Sequence, residues 1–194
     1  MGSGAYVVAQ MVLAPGSRSA LSAVLRRWAA AHQAGNLVAD VGCGPRSWLR
    51  ELDAHPIGLD VSLSSVRSLQ ATGGRGVVAS ATALPLRSGG LDSAWCFGLL
   101  HHLSDDSATT ALGELQRVVR PGGHAVVFDG VTPGPGGPLL ARVVRAIDRG
   151  AWMRRSDALD ALLGCAGCWD EEHVRYSAYG LDGVLATWTC EPRR

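Results

Sequence analysis

Short apolar runs along the chain alternate with longer segments in which apolar residues recur at helical spacing. Leu91 to Phe97 is a nearly continuous apolar run, which is typical of a strand that is buried on both faces. Leu21, Leu25 and Trp28 recur at the spacing of one helix face. The alternation of these two patterns predicts an α/β fold, in which crossover helices connect the strands of a mostly parallel sheet.

The same patterns predict the approximate bounds of seven strands and of the helices between them. Ser17 is a candidate cap for the first helix, and Pro121-Gly122-Gly123 is expected to end the fourth one. The predicted strands are Leu37 to Val41, Pro56 to Val61, Val77 to Ser80, Leu91 to Phe97, His124 to Asp129, His173 to Ala178 and Val184 to Cys190. The predicted helices are Ser17 to Gln33, a short one after Gly44, Ser62 to Gln70, one whose apolar face runs from Ala108 to Val119, Leu139 to Arg149, and Ser156 to Leu163.

Composition excludes several function classes. All eighteen basic residues are arginine, so no lysine can form a Schiff base. The net charge of +1 gives no global electrostatic reason to expect binding to nucleic acid. No apolar stretch approaches the roughly 20 residues that span a bilayer, so no stable membrane insertion is expected. Five cysteines without an export signal predict free thiols and a cytoplasmic protein.

A glycine-containing turn follows the first predicted strand. In Asp40-Val41-Gly42-Cys43-Gly44, glycines let the backbone approach a ligand closely, and the helix that follows offers unpaired amides. Asp60 ends the next strand, where a carboxylate can accept both hydroxyls of a ribose. The sequence therefore predicts a nucleotide site. A dinucleotide site would use the same architecture, but Ser47 replaces the third glycine of the dinucleotide fingerprint.

Five motifs between Leu37 and Asp129, about half of the chain, occur in the order and at the spacing of a known family. In these motifs the chain resembles the class I S-adenosylmethionine-dependent methyltransferases of the small-molecule type 11 branch. The resemblance implies a Rossmann-like seven-stranded, mostly parallel sheet with helices on both faces and an antiparallel last strand. The motifs are Asp40-x-Gly42-x-Gly44, Ala83-Leu84-Pro85-Leu86, Leu91-Asp92, Leu100-His101-His102-Leu103, and the segment from Glu114 to Gly123.

The resemblance also implies a cofactor, S-adenosylmethionine, with S-adenosylhomocysteine as its product, and a role for each matching position. Asp60 would hold the ribose and Val61 would pack on the adenine. The implied contacts to the amino-acid portion of the cofactor are Asp40, Gly42, Cys43 and Gly44. Those near the adenine edge are Ala81 and Thr82, and those near the methionine end and the sulfonium are Phe97, Gly98 and His102.

Two positions depart from the family pattern. Family members commonly have an acidic residue where Ser80 stands, which holds the adenine amino group. They also have a third small residue near Arg46, so a guanidinium here could lie near the cofactor carboxylate.

Methyl transfer from a sulfonium is an in-line displacement, so the protein mainly aligns the acceptor with the methyl group and excludes water. No protein nucleophile is required. A hydroxyl, protonated amine or carbon acceptor needs a base, and His101, His102 and Asp129 are the candidates. They stand at or just beyond the carboxyl ends of predicted strands, where open α/β sheets bind ligands.

The chain is expected to form a single methyltransferase domain over residues 1–194. Its parts are an N-terminal helical segment (1–36), a cofactor-binding core (37–129), candidate lid helices (130–164) and a C-terminal hairpin (165–194). In the third part, Arg149, Trp152 and Arg154 are candidate acceptor contacts, and an anionic small molecule would fit them. Two alternatives stay open for this basic segment: an ordinary surface helix with a solvated charged face, or a face that contacts an anionic membrane.

Cys165-x-x-Cys168 is the pair that could indicate zinc. Structural zinc takes four ligands, and no second cysteine pair lies nearby, so no metal site is expected. Two alternatives to a methyltransferase also remain: an NAD(P)-dependent oxidoreductase, and a noncatalytic subunit that binds S-adenosylmethionine beside an active partner. Because the first strand begins early in the chain, the acceptor site could be open or completed by a second subunit in a homodimer.

Overall fold

The computed structural model describes residues 16–32, 35–52, 55–134, 136–147, 150–177 and 180–192. These residues form one seven-stranded sheet in the order β3-β2-β1-β4-β5-β7-β6, in which only β7 is antiparallel to its neighbours. This confirms the predicted Rossmann-like sheet. The strands are β1 (Val38–Val41), β2 (Ile57–Asp60), β3 (Arg75–Val78), β4 (Leu91–Phe97), β5 (Val119–Gly130), β6 (Asp170–Arg175) and β7 (Asp182–Thr189). The helices are α1 (Ser17–His32), α2 (Leu63–Ala71), α3 (Asp105–Val118), α4 (Leu139–Ile147) and α5 (Ser156–Ala166), with 3₁₀ helices at Trp48–Leu52 and Leu100–His102.

Alternate residues of the central strands supply the two cores of the molecule. In β4, Ala94 and Cys96 face one side of the sheet and Trp95 and Phe97 face the other, as the two-residue period of a strand requires. The Ala94 side packs against α3 and α5, and the Trp95 side packs against α1 and α4. Both faces of the sheet are therefore covered, which explains why most residues of β4 are apolar.

Several predicted element boundaries are wrong, and three of them show why. The third strand starts at Arg75 because this edge strand follows its pairing with β2, where Arg75 lies opposite Ile57. Pro121-Gly122-Gly123 does not end a helix: α3 stops at Val118, and β5 runs through the motif with a register shift opposite Leu91 to Ser93. The sixth strand starts at Asp170 because it pairs with β7 along its polar residues.

The orientation of α4 also differs from the one that its sequence pattern predicts, in which the arginines face solvent. Arg145 points inward, where it donates to the carbonyl of Val131 at 3.1 Å and to the hydroxyl of Tyr176. Leu140 and Val143 are instead 43% and 45% exposed. The expected surface helix with all its arginines in solvent is therefore wrong at Arg145. None of the helices in the described part of the chain has the length and apolar character that a membrane crossing requires.

Candidate active site

The loop after β1 turns through two glycines with positive φ angles. Gly42 has a φ of 73° and Gly44 a φ of 60°, a region that favours glycine. A Cβ atom on Gly42 would come within 2.9 Å of Leu99, so a larger residue does not fit there. A Cβ atom on Gly44 would meet no atom within 4 Å. The loop therefore presents bare backbone toward open space at Gly44.

Asp60, at the end of β2, holds this loop in place. Its Oδ2 accepts a hydrogen bond from the amide of Gly44 at 2.9 Å, and its Oδ1 accepts one from the amide of Ser62 at 2.8 Å. The carboxylate thus joins the glycine loop to the start of α2, whose N-cap is Ser62. Carboxylates accept more than one hydrogen bond per oxygen, so both atoms can also accept ribose hydroxyls.

Asp40, in β1, is a buried carboxylate with only part of its hydrogen bonding satisfied. Its side chain is bonded to Ser47 and to the amide of Trp48. Its Oδ2 has no hydrogen-bond partner among the residues that the structure describes. Burial raises the pKa of Asp40 to about 6, and the nearby charge of Asp60 adds to this effect, although the bond from Ser47 opposes it.

These features fit a cationic nucleoside better than a pyrophosphate. The unpartnered oxygen of Asp40 needs a positive charge or a donor, and two carboxylates would repel an anion at this position. Cys43 lies between them, and burial raises its pKa to about 12, with the charges of Asp40 and Asp60 as further causes. Its thiol therefore stays protonated and is not a nucleophile.

The predicted adenine contacts lie beyond Asp60. Val61 is 78% exposed. Ala81 and Thr82 are partly buried. Ser80, at the position where the family has an acid, lies with its Oγ 2.8 Å from the Oγ1 of Thr82 and accepts from the amide of Thr82.

The carboxyl end of β4 brings the methionine-end positions next to the two histidines. The ring of Phe97 packs in the core, so this residue could face a cofactor only with its backbone. Gly98 follows with a φ of 62°. His102 is exposed on the 3₁₀ helix Leu100–His102, and its ring centroid lies 4.2 Å from that of His101.

His101 and Asp129 form a buried pair between the ends of β4 and β5. The Nδ1 atom of His101 lies 2.6 Å from Oδ1 of Asp129, and the amide of His101 donates to Oδ2 at 3.0 Å. The amide of Gly130 also donates to Oδ1. These contacts fix the imidazole with Nδ1 as its donor, which makes Nε2 the proton-accepting atom of the ring.

The segment after α4 lies across this pair. A Cβ atom on Gly150 would approach within 2.4 Å of His101 Cδ2, and the amide of Trp152 donates to the carbonyl of His101 at 2.9 Å. The side chain of Trp152 is 50% exposed. Arg154 is buried, and its guanidinium donates to the carbonyls of Leu100, Leu103 and Trp152 and to Asp105. Arg149 lies outside the described residues.

Comparisons with known proteins agree with this geometry. A family model for a methyltransferase domain of type 11 matches residues 39–127. Residues 39–127 therefore form a methyltransferase domain of type 11. This match also supports S-adenosylmethionine as the cofactor of the glycine loop, instead of NAD.

Individual relatives of this methyltransferase act on different acceptors. It is 35% identical over 96 residues to a tRNA (carboxymethyluridine(34)-5-O)-methyltransferase from Mus musculus, covering 48% of this chain and 14% of that protein. It is 34% identical over 137 residues to a malonyl-(acyl-carrier protein) O-methyltransferase from Pseudescherichia vulneris, covering 68% of this chain and 53% of that protein. The chain thus spans about half the length of the malonyl-(acyl-carrier protein) relative and a much smaller share of the tRNA methyltransferase.

A solved structure shows the same fold. The crystal structure of an S-adenosylmethionine-dependent methyltransferase from Archaeoglobus fulgidus superposes with a TM-score of 0.71 at 16% identity. The match covers 94% of this chain and 99% of that one.

Sequence reasoning missed that two of the family motifs hold the methyltransferase core together. Glu114 accepts from the amide of Leu84 at 2.6 Å and pairs with Arg117, which in turn donates to the carbonyls of Leu84 and Leu86. The backbone of the motif from Ala83 to Leu86 is therefore hydrogen-bonded to an ion pair within α3. The signal for it was present as Glu114 and Arg117 one helical turn apart.

Asp92 has a similar structural role in the methyltransferase. It accepts from the amides of Asn36 and Leu37 at 2.8 and 2.9 Å and pairs with Arg120. These bonds lower the pKa of Asp92, the amide of Leu37 contributing most. All five cysteines are free; Cys165 lies in α5 and not in a loop, and both it and Cys168 are exposed.

Proposed function

We propose that this methyltransferase transfers a methyl group from S-adenosylmethionine to a small or medium-sized acceptor, with His101 as the base. The observation that carries the proposal is the position of the His101–Asp129 pair at the end of β4. A Cβ atom on Gly98 would lie 3.7 Å from His101 Cε1, so the imidazole lies beside Gly98. Gly98 is one of the positions that the resemblance assigns to the methionine end of the cofactor.

Each residue group has a separate task in this proposal. Bound S-adenosylmethionine supplies a methyl group on a positively charged sulfur. Asp60 binds the ribose, and Asp40 offers its unpartnered oxygen to the positive charge of the amino-acid portion. Asp129 holds the proton on Nδ1 of His101, so that Nε2 can take the proton of the acceptor. His102, exposed beside this ring, is the other candidate base.

The segment from Gly150 to Arg154 is proposed to cover the acceptor side. The backbone amide of Trp152 is hydrogen-bonded to His101, and half of its side chain is exposed to solvent. Its ring can therefore pack on an acceptor. Arg154 and Arg145 are both engaged by protein groups inside the fold. The proposal therefore does not require an anionic acceptor.

The five free thiols favour the cytoplasm as the place of action.

The test combines cofactor binding with a turnover assay. Calorimetry on the full chain should show S-adenosylmethionine binding that Asp60→Ala greatly weakens and that Asp106→Asn, in an exposed first turn of α3, leaves unchanged. Release of S-adenosylhomocysteine is then measured over a panel of hydroxyl, amine and carbon-acid small molecules, with tRNA that carries carboxymethyluridine at position 34 as a separate arm.

The outcomes separate the alternatives. Turnover with a small molecule that is lost in His101→Gln supports the proposal. Turnover with tRNA alone overturns the acceptor class. Tight cofactor binding without turnover in any arm favours a noncatalytic subunit, and NADH binding without S-adenosylmethionine binding would contradict the cofactor assignment.

A further inference from the structure

Three potential metal ligands meet where α5 packs over the edge strand β6. Asp160 comes from α5, and Glu171 and His173 come from β6. One ligand atom of each residue lies within 4.8 Å of the others. Glu171 and His173 share a face of the strand because they are two residues apart. The cluster is separate from the cofactor loop, since β4, β5 and β7 lie between β1 and β6 in the sheet.

The imidazole of His173 is oriented toward the carboxylate of Asp160. Ser156, at the start of α5, lies with its Oγ 3.1 Å from Nδ1 of His173. The other ring nitrogen, Nε2, lies 4.0 Å from Oδ2 of Asp160. An outer hydrogen bond on one nitrogen that directs the other toward a metal is the usual arrangement of metal-binding histidines.

One carboxylate oxygen of the cluster lacks a hydrogen-bond donor. Oδ1 of Asp160 is buried and accepts no hydrogen bond from any residue in the described part of the chain. A buried carboxylate oxygen without a donor is costly, and a cation would remove that cost.

We propose that Asp160, Glu171 and His173 bind a divalent transition-metal ion and thereby brace α5 against β6. Two carboxylate oxygens and an imidazole nitrogen suit Zn²⁺, with a fourth position left for water. Mg²⁺ and Ca²⁺ fit less well, because they prefer six or more oxygen ligands. The cysteine pair does not take part: among the described residues, neither Cys165 nor Cys168 belongs to a group of three ligands.

Zn²⁺ titration of the full, chelator-treated chain tests the proposal by calorimetry and thermal unfolding. One equivalent should bind and raise the unfolding temperature, because a ligand of the native state stabilises it. His173→Ala and Asp160→Asn should each weaken Zn²⁺ binding by more than about tenfold and abolish the temperature rise. Asp160→Asn preserves the shape of the side chain, so a loss there does not depend on how well His173→Ala folds.

Matched controls make the result decisive. Glu172→Gln changes the neighbouring strand residue, whose carboxylate pairs with Arg27 of α1 on the opposite face, and should bind Zn²⁺ like the wild type. The double variant Cys165→Ser/Cys168→Ser should also retain binding, and Co²⁺ should give visible absorption without a thiolate charge-transfer band. Unchanged affinity in both cluster variants, or loss of binding in the double cysteine variant, overturns the proposal. S-adenosylmethionine affinity is expected to stay the same throughout, so this test is independent of the proposed function.

Discussion

The carboxylate of Asp60 accepts a hydrogen bond from the amide of Gly44 at 2.9 Å, across the sixteen residues that separate them. This bond places the end of β2 beside the open side of the glycine loop. The residue that is proposed to bind the ribose is therefore also the residue that shapes the loop around it.

Two replacements of Asp60 should distinguish its charge, which acts on the cofactor, from its hydrogen bond to the loop. We expect Asp60→Asn to weaken S-adenosylmethionine binding by about 2 kcal/mol, or roughly 30-fold, because hydrogen bonds to a charged acceptor are replaced by neutral ones. Asp60→Ala should lose more, since the Gly44 amide also loses its acceptor. Calorimetry measures both; equal affinity in wild type and Asp60→Ala would contradict the assignment.

Asp40 should make the stability of the free protein depend on pH. Its pKa is about 6 in the folded chain and 3.8 ordinarily, so the folded state binds the extra proton between these values. The stabilisation from this proton is complete below about pH 4 and is lost as the pH rises through 6.

Asp40→Asn stays neutral throughout and provides the comparison. The variant should be more stable than the wild type at pH 8, by a margin on the order of 3 kcal/mol, and the margin should shrink toward zero at pH 4. Urea unfolding without cofactor at both pH values measures the margin. In the wild type, S-adenosylmethionine affinity should rise with pH through 6, because the ionised carboxylate attracts the cofactor. A margin that does not change with pH would show that Asp40 is not protonated in the fold.

Asp129→Asn tests the tautomer of His101. An asparagine whose oxygen takes the place of Oδ2 still accepts from the amide of His101. In that orientation its NH₂ group takes the place of Oδ1, where it faces Nδ1 of His101 and leaves the Gly130 amide without its acceptor. The proton of the imidazole would move to Nε2, which could no longer accept one. With the acceptor found by the panel, kcat should fall by about 100-fold or more, while the KM for S-adenosylmethionine changes little. His102→Gln is the control; if that variant loses kcat and Asp129→Asn does not, His102 is the base.

Arg154 should contribute strongly to the stability of the folded protein, although it belongs to the segment that is proposed to cover the acceptor. Arg154→Met removes the guanidinium donor from the carbonyl of Leu103 and one of the two donors from that of Leu100, so the free energy of unfolding should fall by about 3 kcal/mol. Asp105→Ala removes only the exposed partner, whose side chain is 78% accessible, and should cost less than about 1 kcal/mol. Urea unfolding compares the two variants. Equal losses would mean that the ion pair, and not the carbonyl contacts, holds the segment.

The pattern of apolar residues predicted correctly those elements that are covered on both sides by the protein core. The bounds of β4 were predicted correctly because both of its faces are covered, so most of its positions are apolar. The bounds of β3 were not, because an edge strand is positioned by its partner. Its residues are mostly exposed, and Arg75 and Gly76 carry no apolar signal.

The sequence alone determined the glycine loop, the carboxylate at the end of β2 and the family, because each depends on residues close together in the chain or on motif order. The tertiary structure decided which side chains meet across long separations. It paired His101 with Asp129, turned Arg145 and Arg154 inward, and brought Asp160 to Glu171 and His173. Periodicity tells which face of an element is apolar. The partner of a polar group depends on strand register and helix orientation, and these are fixed only when the whole core packs.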